Sequence, residues 1–298
     1  MVKGIILSVT ASIIIITGCG GGGGGGGGVG NIPTNVSYIS HEEEYQAQYG
    51  LNKINTANAN LGGSTGENIR IAVIDTGIDA NHQEFNQGTI LGSDFSGSSG
   101  GHAADVQGHG THVAAIISAE KDNFGMRGVA YTAQLYSYRT ATNGGDLFAL
   151  NSDAGRAAVY QQHVTDNIQV SNNSWGSTSN ILNYNEADLR VTDSLSIAAM
   201  RSAQENGTIF VFAANNSYQD EVSKEAGLPY YINELADQFL TVMAVDNNLK
   251  EAAFSNRCGI AADFCLAAPG KSIYSAKTGG GYTNKSGTSM AAPHVSGV

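Results

Sequence analysis

What most limits the fold of this chain is a repeated alternation of short apolar runs with longer helix-forming segments. "NIRIAVIDTGID" carries Ile69, Ile71, Val73 and Ile74 between turn residues, as a buried strand does. Further strand candidates are "QLYSYRT" from 134, "IQVSNNS" from 168, "TIFVFAA" from 208 and "FLTVMAV" from 239. Helix candidates cover 109–119, 146–165 and 187–206. Strands separated by helices imply βαβ units. The expected fold is therefore α/β, a doubly wound, mostly parallel sheet with helices on both faces. Residues 41–60 read as a surface helix with frayed ends. Ligands bind such a sheet at the carboxyl ends of its strands. Asp75, the stretch 172–174, and Asn215 with Asn216 stand at such ends.

The N-terminus has a different character. Residues 1–18 hold one Lys and an apolar run, the pattern of a secretory signal peptide rather than of a spanning helix. Ile16-Thr17-Gly18-Cys19 resembles a bacterial lipobox, in which the Cys carries lipid. Nine consecutive glycines follow, a flexible tether. A plain cleaved signal is the alternative. Cys258 and Cys265 remain, seven apart, and in an oxidising compartment a small-loop disulfide is expected of them. A pair of buried thiols is the other reading. The net charge of −11 argues against nucleic acid, whose phosphates call for basic patches.

Three segments could carry chemistry: "AVIDTGID" with Asp75, "GHGTHVA" with His109 and "GTSMAAPHVSG" with Ser289. A serine hydroxyl is a weak nucleophile near neutral pH. It needs a base to take its proton, and the base needs a carboxylate to orient it. Each residue also has a plainer use. Asp75 could cap the turn at Thr76-Gly77. His102, His109 and His112 could hold zinc, yet the spacing is not H-E-x-x-H and no Glu stands between the last two. Asp79 and His82 read as a turn, His112 and His294 as packing. Trp175, the only Trp, could be core.

Asp75, His109 and Ser289, in that order and with spacings of 34 and 180, resemble the signature blocks of the subtilisin-like serine proteases, or subtilases. The resemblance runs from about residue 66 to the end. "EYQAQYGLNKIN", "SNNSWG" and "RCGIAADFCLAAPG" resemble subtilases at the front of bacterial autotransporters, several of them surface lipoproteins. The resemblance implies that Ser289 attacks a peptide carbonyl, His109 shuttles the proton and Asp75 orients the imidazole. It implies an oxyanion hole from the Ser289 N–H and the Asn216 side chain. It implies substrate binding by Ser174, Trp175, Gly176, Ala214 and Asn215, with residues 143–147 as a second wall. The family block usually reads Ala-Ala-Gly-Asn. Here it is "AANN", so Asn215 replaces a glycine, and the neighbouring pocket wall is expected to narrow. Glu84, nine residues after Asp75, and Asp122 in "EKDNFGM" occupy places that hold structural calcium in the family. An ordinary polar loop is the alternative. No cofactor is expected for the chemistry.

The domains implied are 1–18 signal peptide, 19–36 lipidated Cys and tether, and 37–298 catalytic domain. The family continues past the nucleophile helix, and autotransporters continue to a membrane β-barrel. The chain is thus expected to be a fragment cut about ten residues into that helix. Residues 29–65 are too few for a folded inhibitory pro-domain. The expected partners are a polypeptide substrate and, through lipidated Cys19 and the barrel, a membrane. The expected location is the bacterial outer membrane surface, with release from it as an option. Two rival functions stand beside this one. An α/β-hydrolase esterase would show Ser, Asp, His order with G-x-S-x-G, which is absent. A non-catalytic surface adhesin on a subtilase scaffold would have an inert Ser289.

Overall fold

The computed structural model describes residues 42–85 and 90–298. The expected signal peptide, lipidated Cys19 and glycine tether lie outside the described residues. Seven strands form one parallel sheet in the order β2-β3-β1-β4-β5-β6-β7. They are β1 (Arg70–Asp75), β2 (Leu91–Asp94), β3 (Gln134–Arg139), β4 (Val170–Asn173), β5 (Ile209–Ala213), β6 (Phe239–Val245) and β7 (Cys265–Pro269). This is the expected doubly wound α/β sheet. Residues of β1 alternate between two cores, as the two-residue period of a strand requires. Ala72 and Ile74 join Tyr138, Tyr160, Phe210 and Phe212 on one face. Ile71 and Val73 join Val113, Ile116 and Met290 on the other. Strand order reverses at β1, so the crevice between the ends of β1 and β4 is the switch point where ligands bind.

The N-terminal segment is not the expected single surface helix. It forms three short helices, α1 (Glu43–Gln46), α2 (Tyr49–Lys53) and α3 (Thr56–Leu61). The break before α3 is Asn55 in a left-handed conformation, φ 60°. Tyr45, Leu51 and Ala57 are buried together with Val129. The fully buried Arg127 lies over the Tyr45 ring at 4.9 Å and pairs with Glu42 at 2.5 Å.

After α4 (His109–Ser118), two expected helices are each interrupted. In 146–165 a short 3-10 turn precedes α5 (Asp153–Asp166), because Ser152 caps the helix by accepting from Gly155 N. In 187–206 the chain breaks into α6 (Glu186–Thr192) and α7 (Ser194–Glu205) at Asp193. That buried carboxylate is taken by Arg156 at 2.7 Å and Lys224 at 2.8 Å. Beyond α8 (Leu228–Tyr231), an antiparallel hairpin of β8 (Ile273–Ala276) and β9 (Tyr282–Lys285) leads into α9 (Thr288–Ser296). Cys258 and Cys265, the first residue of β7, are joined in a disulfide, Cα–Cα 5.8 Å. Among the described residues no helix is long and apolar enough to cross a membrane.

Candidate active site

Asp75 is the last residue of β1 and His109 the first of α4. One buried carboxylate, Asp105, sets their relation. Its Oδ1 accepts from Thr76 Oγ1 (2.8 Å), Gly108 N (2.8 Å) and Gln107 N (3.1 Å). Its Oδ2 accepts from Thr111 N (2.9 Å) and Thr111 Oγ1 (2.6 Å). Asp105 therefore satisfies the free N–H groups at the start of α4 and ties them to the end of β1. Gly110 is required for this approach, since a Cβ there would stand 2.1 Å from Gly77 O.

His109 Nδ1 meets Asp75 Oδ1 at 2.8 Å and Oδ2 at 2.9 Å. Asp75 is 3% exposed and the imidazole 32%. Burial pulls the imidazole pKa down, but the charge and hydrogen bond of Asp75 and the charge of Asp105 outweigh it, so the net movement is upward from 6.5. Lys285, whose Nζ donates to Gly108 O at 2.8 Å, opposes that rise.

Ser289 is the second residue of α9. Its Oγ donates to Ser174 O at 3.0 Å, and Ser174 Oγ donates to Ser289 O at 2.9 Å. Pro293 explains the second bond. It stands inside α9, sixth of its residues. Proline has no N–H for the carbonyl four residues back, which is Ser289 O. The Ser174 hydroxyl takes that acceptor instead, tying the helix start to the end of β4.

Asp75, His109 and Ser289 line one cleft of about 290 Å³, together with Ser174, Trp175, Gly176, Ala213, Asn215 and Asn216. Ala214, expected there, is instead fully buried, with its N–H donated to Val242 O at 3.0 Å. The strand alternation that brings Ala213 to the cleft turns Ala214 into the core. Trp175 serves both readings made of it. It lines the cleft, and its ring also packs on Phe212 at 5.7 Å. Gly145 and Leu147, within 143–147, form part of the wall. Asn216 Oδ1 accepts from Thr288 N (2.8 Å) and Thr288 Oγ1 (3.1 Å), which leaves its NH₂ as the donor end beside Ser289. Asn215 adopts φ 95°, so the turn a glycine would make does form.

Sequence reasoning missed Asp105, Thr76 and Thr288. Asp105 carried a signal, a carboxylate just before a helix start. The rival histidines go elsewhere. His102 meets Ile90 O and His112 meets Thr283 O, and burial first, then Lys285, hold His112 down at about 3. His82 and Asp79 bond to the hairpin loop at Gly281 O and Gly279 N, and His294 bonds Met290 O within α9.

The expected calcium ligands, Glu84 and Asp122, have protein partners for part of their oxygens. Glu84 Oε1 accepts from Met126 N at 3.2 Å and from the Tyr282 hydroxyl, while Oε2 is buried without a partner. Asp122 Oδ1 accepts from Phe124 N, and the N–H groups of Asp122 and Asn123 point at Glu44 Oε2. Among the described residues no three His, Cys, Asp or Glu gather to hold a metal ion.

A doubly wound sheet with Asp, His and Ser side chains gathered at one switch point defines a class of α/β proteins with a triad constellation. Within that class, the subtilase family model matches residues 66–298, and the chain belongs to the subtilase family. It is 35% identical over 250 residues to a thermostable alkaline protease of Halalkalibacterium halodurans, covering 84% of this chain and 61% of the relative. It is 29% identical to an extracellular serine protease of Serratia marcescens, covering 86% of this chain and 29% of that one. The chain thus spans under two thirds of either relative's length. Among solved structures, the protease domain of PatA aligns with TM-score 0.65 and 26% identity, covering 79% of each chain.

Proposed function

We propose that this protein is a serine endopeptidase working through an acyl-enzyme. The observation that carries the reading is the two-oxygen contact of Asp75 with His109 Nδ1 in the cleft that Ser289 also lines. With Nδ1–H given to Asp75, Nε2 is left as the base. The Ser289 hydroxyl turns from Ser174 O to Nε2, gives up its proton and attacks a peptide carbonyl. The negative charge that develops on the carbonyl oxygen is met by the Ser289 N–H and the Asn216 NH₂. His109 then passes the proton to the leaving amine. Water repeats the sequence and releases the acid. An extended substrate would pair with the backbone of Ser174–Gly176.

We also propose that the chain is exported, anchored through a lipidated Cys19 and carried as an autotransporter passenger. Support comes from residues 1–28 and from the resemblance of "SNNSWG" and "RCGIAADFCLAAPG" to that branch. The relative named an extracellular serine protease agrees with export.

The test is covalent labelling of the full chain by a fluorophosphonate, beside Ser289→Ala and His109→Ala. Labelling lost in both variants supports an assembled triad. An unlabelled but folded protein would turn the reading to a non-catalytic surface binder.

A further inference from the structure

The slot beside Ser289 has a crossbar. Two backbone segments form its walls, 174–177 running on from β4 and 213–216 running on from β5. In the proposed reaction, the attacked carbonyl lies between Ser289 and Asn216. The side chain on the acyl side of the scissile bond then projects between these two walls. Asn215 spans them, with its Nδ2 donating to Ser177 O at 2.5 Å.

The bar is fixed at both ends. Asn215 Oδ1 accepts from Asn216 N at 2.6 Å. The Asn215 backbone is held as well, N to Thr288 Oγ1 at 3.2 Å and O from Asn256 N at 2.9 Å. Swinging the amide aside would give up both of its side-chain bonds, to Ser177 O and from Asn216 N. The space behind the wall is already occupied. A Cβ on Gly176 would stand 3.0 Å from Ser223 Oγ, and Glu225 Oε2 accepts from Ser177 N (2.8 Å) and Ser177 Oγ (2.9 Å).

We infer that Asn215 determines specificity by closing this slot, so that the residue before the scissile bond must be Gly, Ala or Ser. The inference rests on the endopeptidase reading and names its substrate class. Replacing a glycine by asparagine in this turn keeps the left-handed backbone and fills the slot with a tethered amide.

The experiment uses the full chain and peptides that differ only in the residue before the scissile bond: Gly, Ala, Ser, Leu or Phe. The expected kcat/KM favours the small residues by on the order of 10²-fold, the scale on which a pocket rejects side chains that do not fit. Asn215→Gly suits the positive φ and should raise the Phe-to-Ala ratio by roughly 10-fold or more. That ratio is insensitive to any uniform loss through Asn216. Asn215→Asp keeps the size but sets an oxygen against Ser177 O, so it should move the ratio the same way if the glycine variant fails to fold. Leu or Phe peptides cleaved as well as Ala by the parent, or a ratio unmoved in the variants, would overturn the inference. Fluorophosphonate labelling of Ser289 without cleavage of any small-residue peptide overturns it and leaves the protease reading standing. Neither labelling nor cleavage overturns both.

Discussion

Glu84→Gln tests the buried carboxylate that stands where calcium was expected. Glu84 is 1% exposed, and burial pushes its carboxyl from 4.5 up to about 7. Hydrogen bonds from Tyr282 and Met126 favour the charged form, and the nearby charges of Asp122 and Glu44 disfavour it. The folded value lies above the unfolded one. The stabilising contribution is therefore fully present below pH 4.5 and is lost as pH rises through about 7. At about 1.4 kcal/mol for each pH unit between the two values, the loss is on the order of 3 kcal/mol. For a domain of this size that is roughly 6–12 °C in Tm. Gln places a neutral amide where the protonated acid would be and does not titrate. Melting curves across this pH range, in a Ser289→Ala background that cannot digest itself, should show the parent losing stability relative to Glu84→Gln by that amount. Parallel pH dependences would refute the burial argument. Stabilisation by calcium that disappears in Glu84→Gln would make Glu84 a calcium ligand and replace the protonation argument.

Asn216→Ala should lower kcat by on the order of 10²–10³ with little change in KM, since its NH₂ is needed only where charge develops; steady-state kinetics on an Ala-type peptide checks this. His109 must be neutral to act as base, and its pKa is displaced upward from 6.5. The acid limb of the kcat/KM profile should accordingly fall above pH 6.5, and Lys285→Met, which removes the opposing charge, should move it further up.

The fold was legible where the chain obeys one period at a time. β1, β5 and β6 are mainly apolar runs because both their faces are covered. β2 and the β8–β9 hairpin escaped notice for the opposite reason. β2 and β9 are short, partly exposed and largely polar, and β8 is only four residues long, so pairing rather than composition reveals them. The helix breaks at Ser152 and Asp193 are side-chain events. One is a cap. The other is a buried carboxylate whose partners, Arg156 and Lys224, lie 37 and 31 residues away in sequence. The short helices at the N-terminus had good formers throughout, yet Arg127 set their arrangement from 67 to 85 residues downstream.

The site divides along the same line. Asp75, His109 and Ser289 announce themselves because each sits at a strand end or helix start, with small residues beside it that allow close approach. What holds them does not, because it depends on pairs distant in sequence. Pro293 is the clearest case. Read locally, a proline four residues after the serine is a first-turn residue with little cost. In the fold, α9 begins at Thr288, so the proline falls a turn deeper and releases the carbonyl of Ser289 itself. That orphan acceptor needs a donor, and Ser174 Oγ, 115 residues earlier, supplies it at 2.9 Å. A helix defect thus becomes the tie between the candidate nucleophile and the strand end that would carry the substrate.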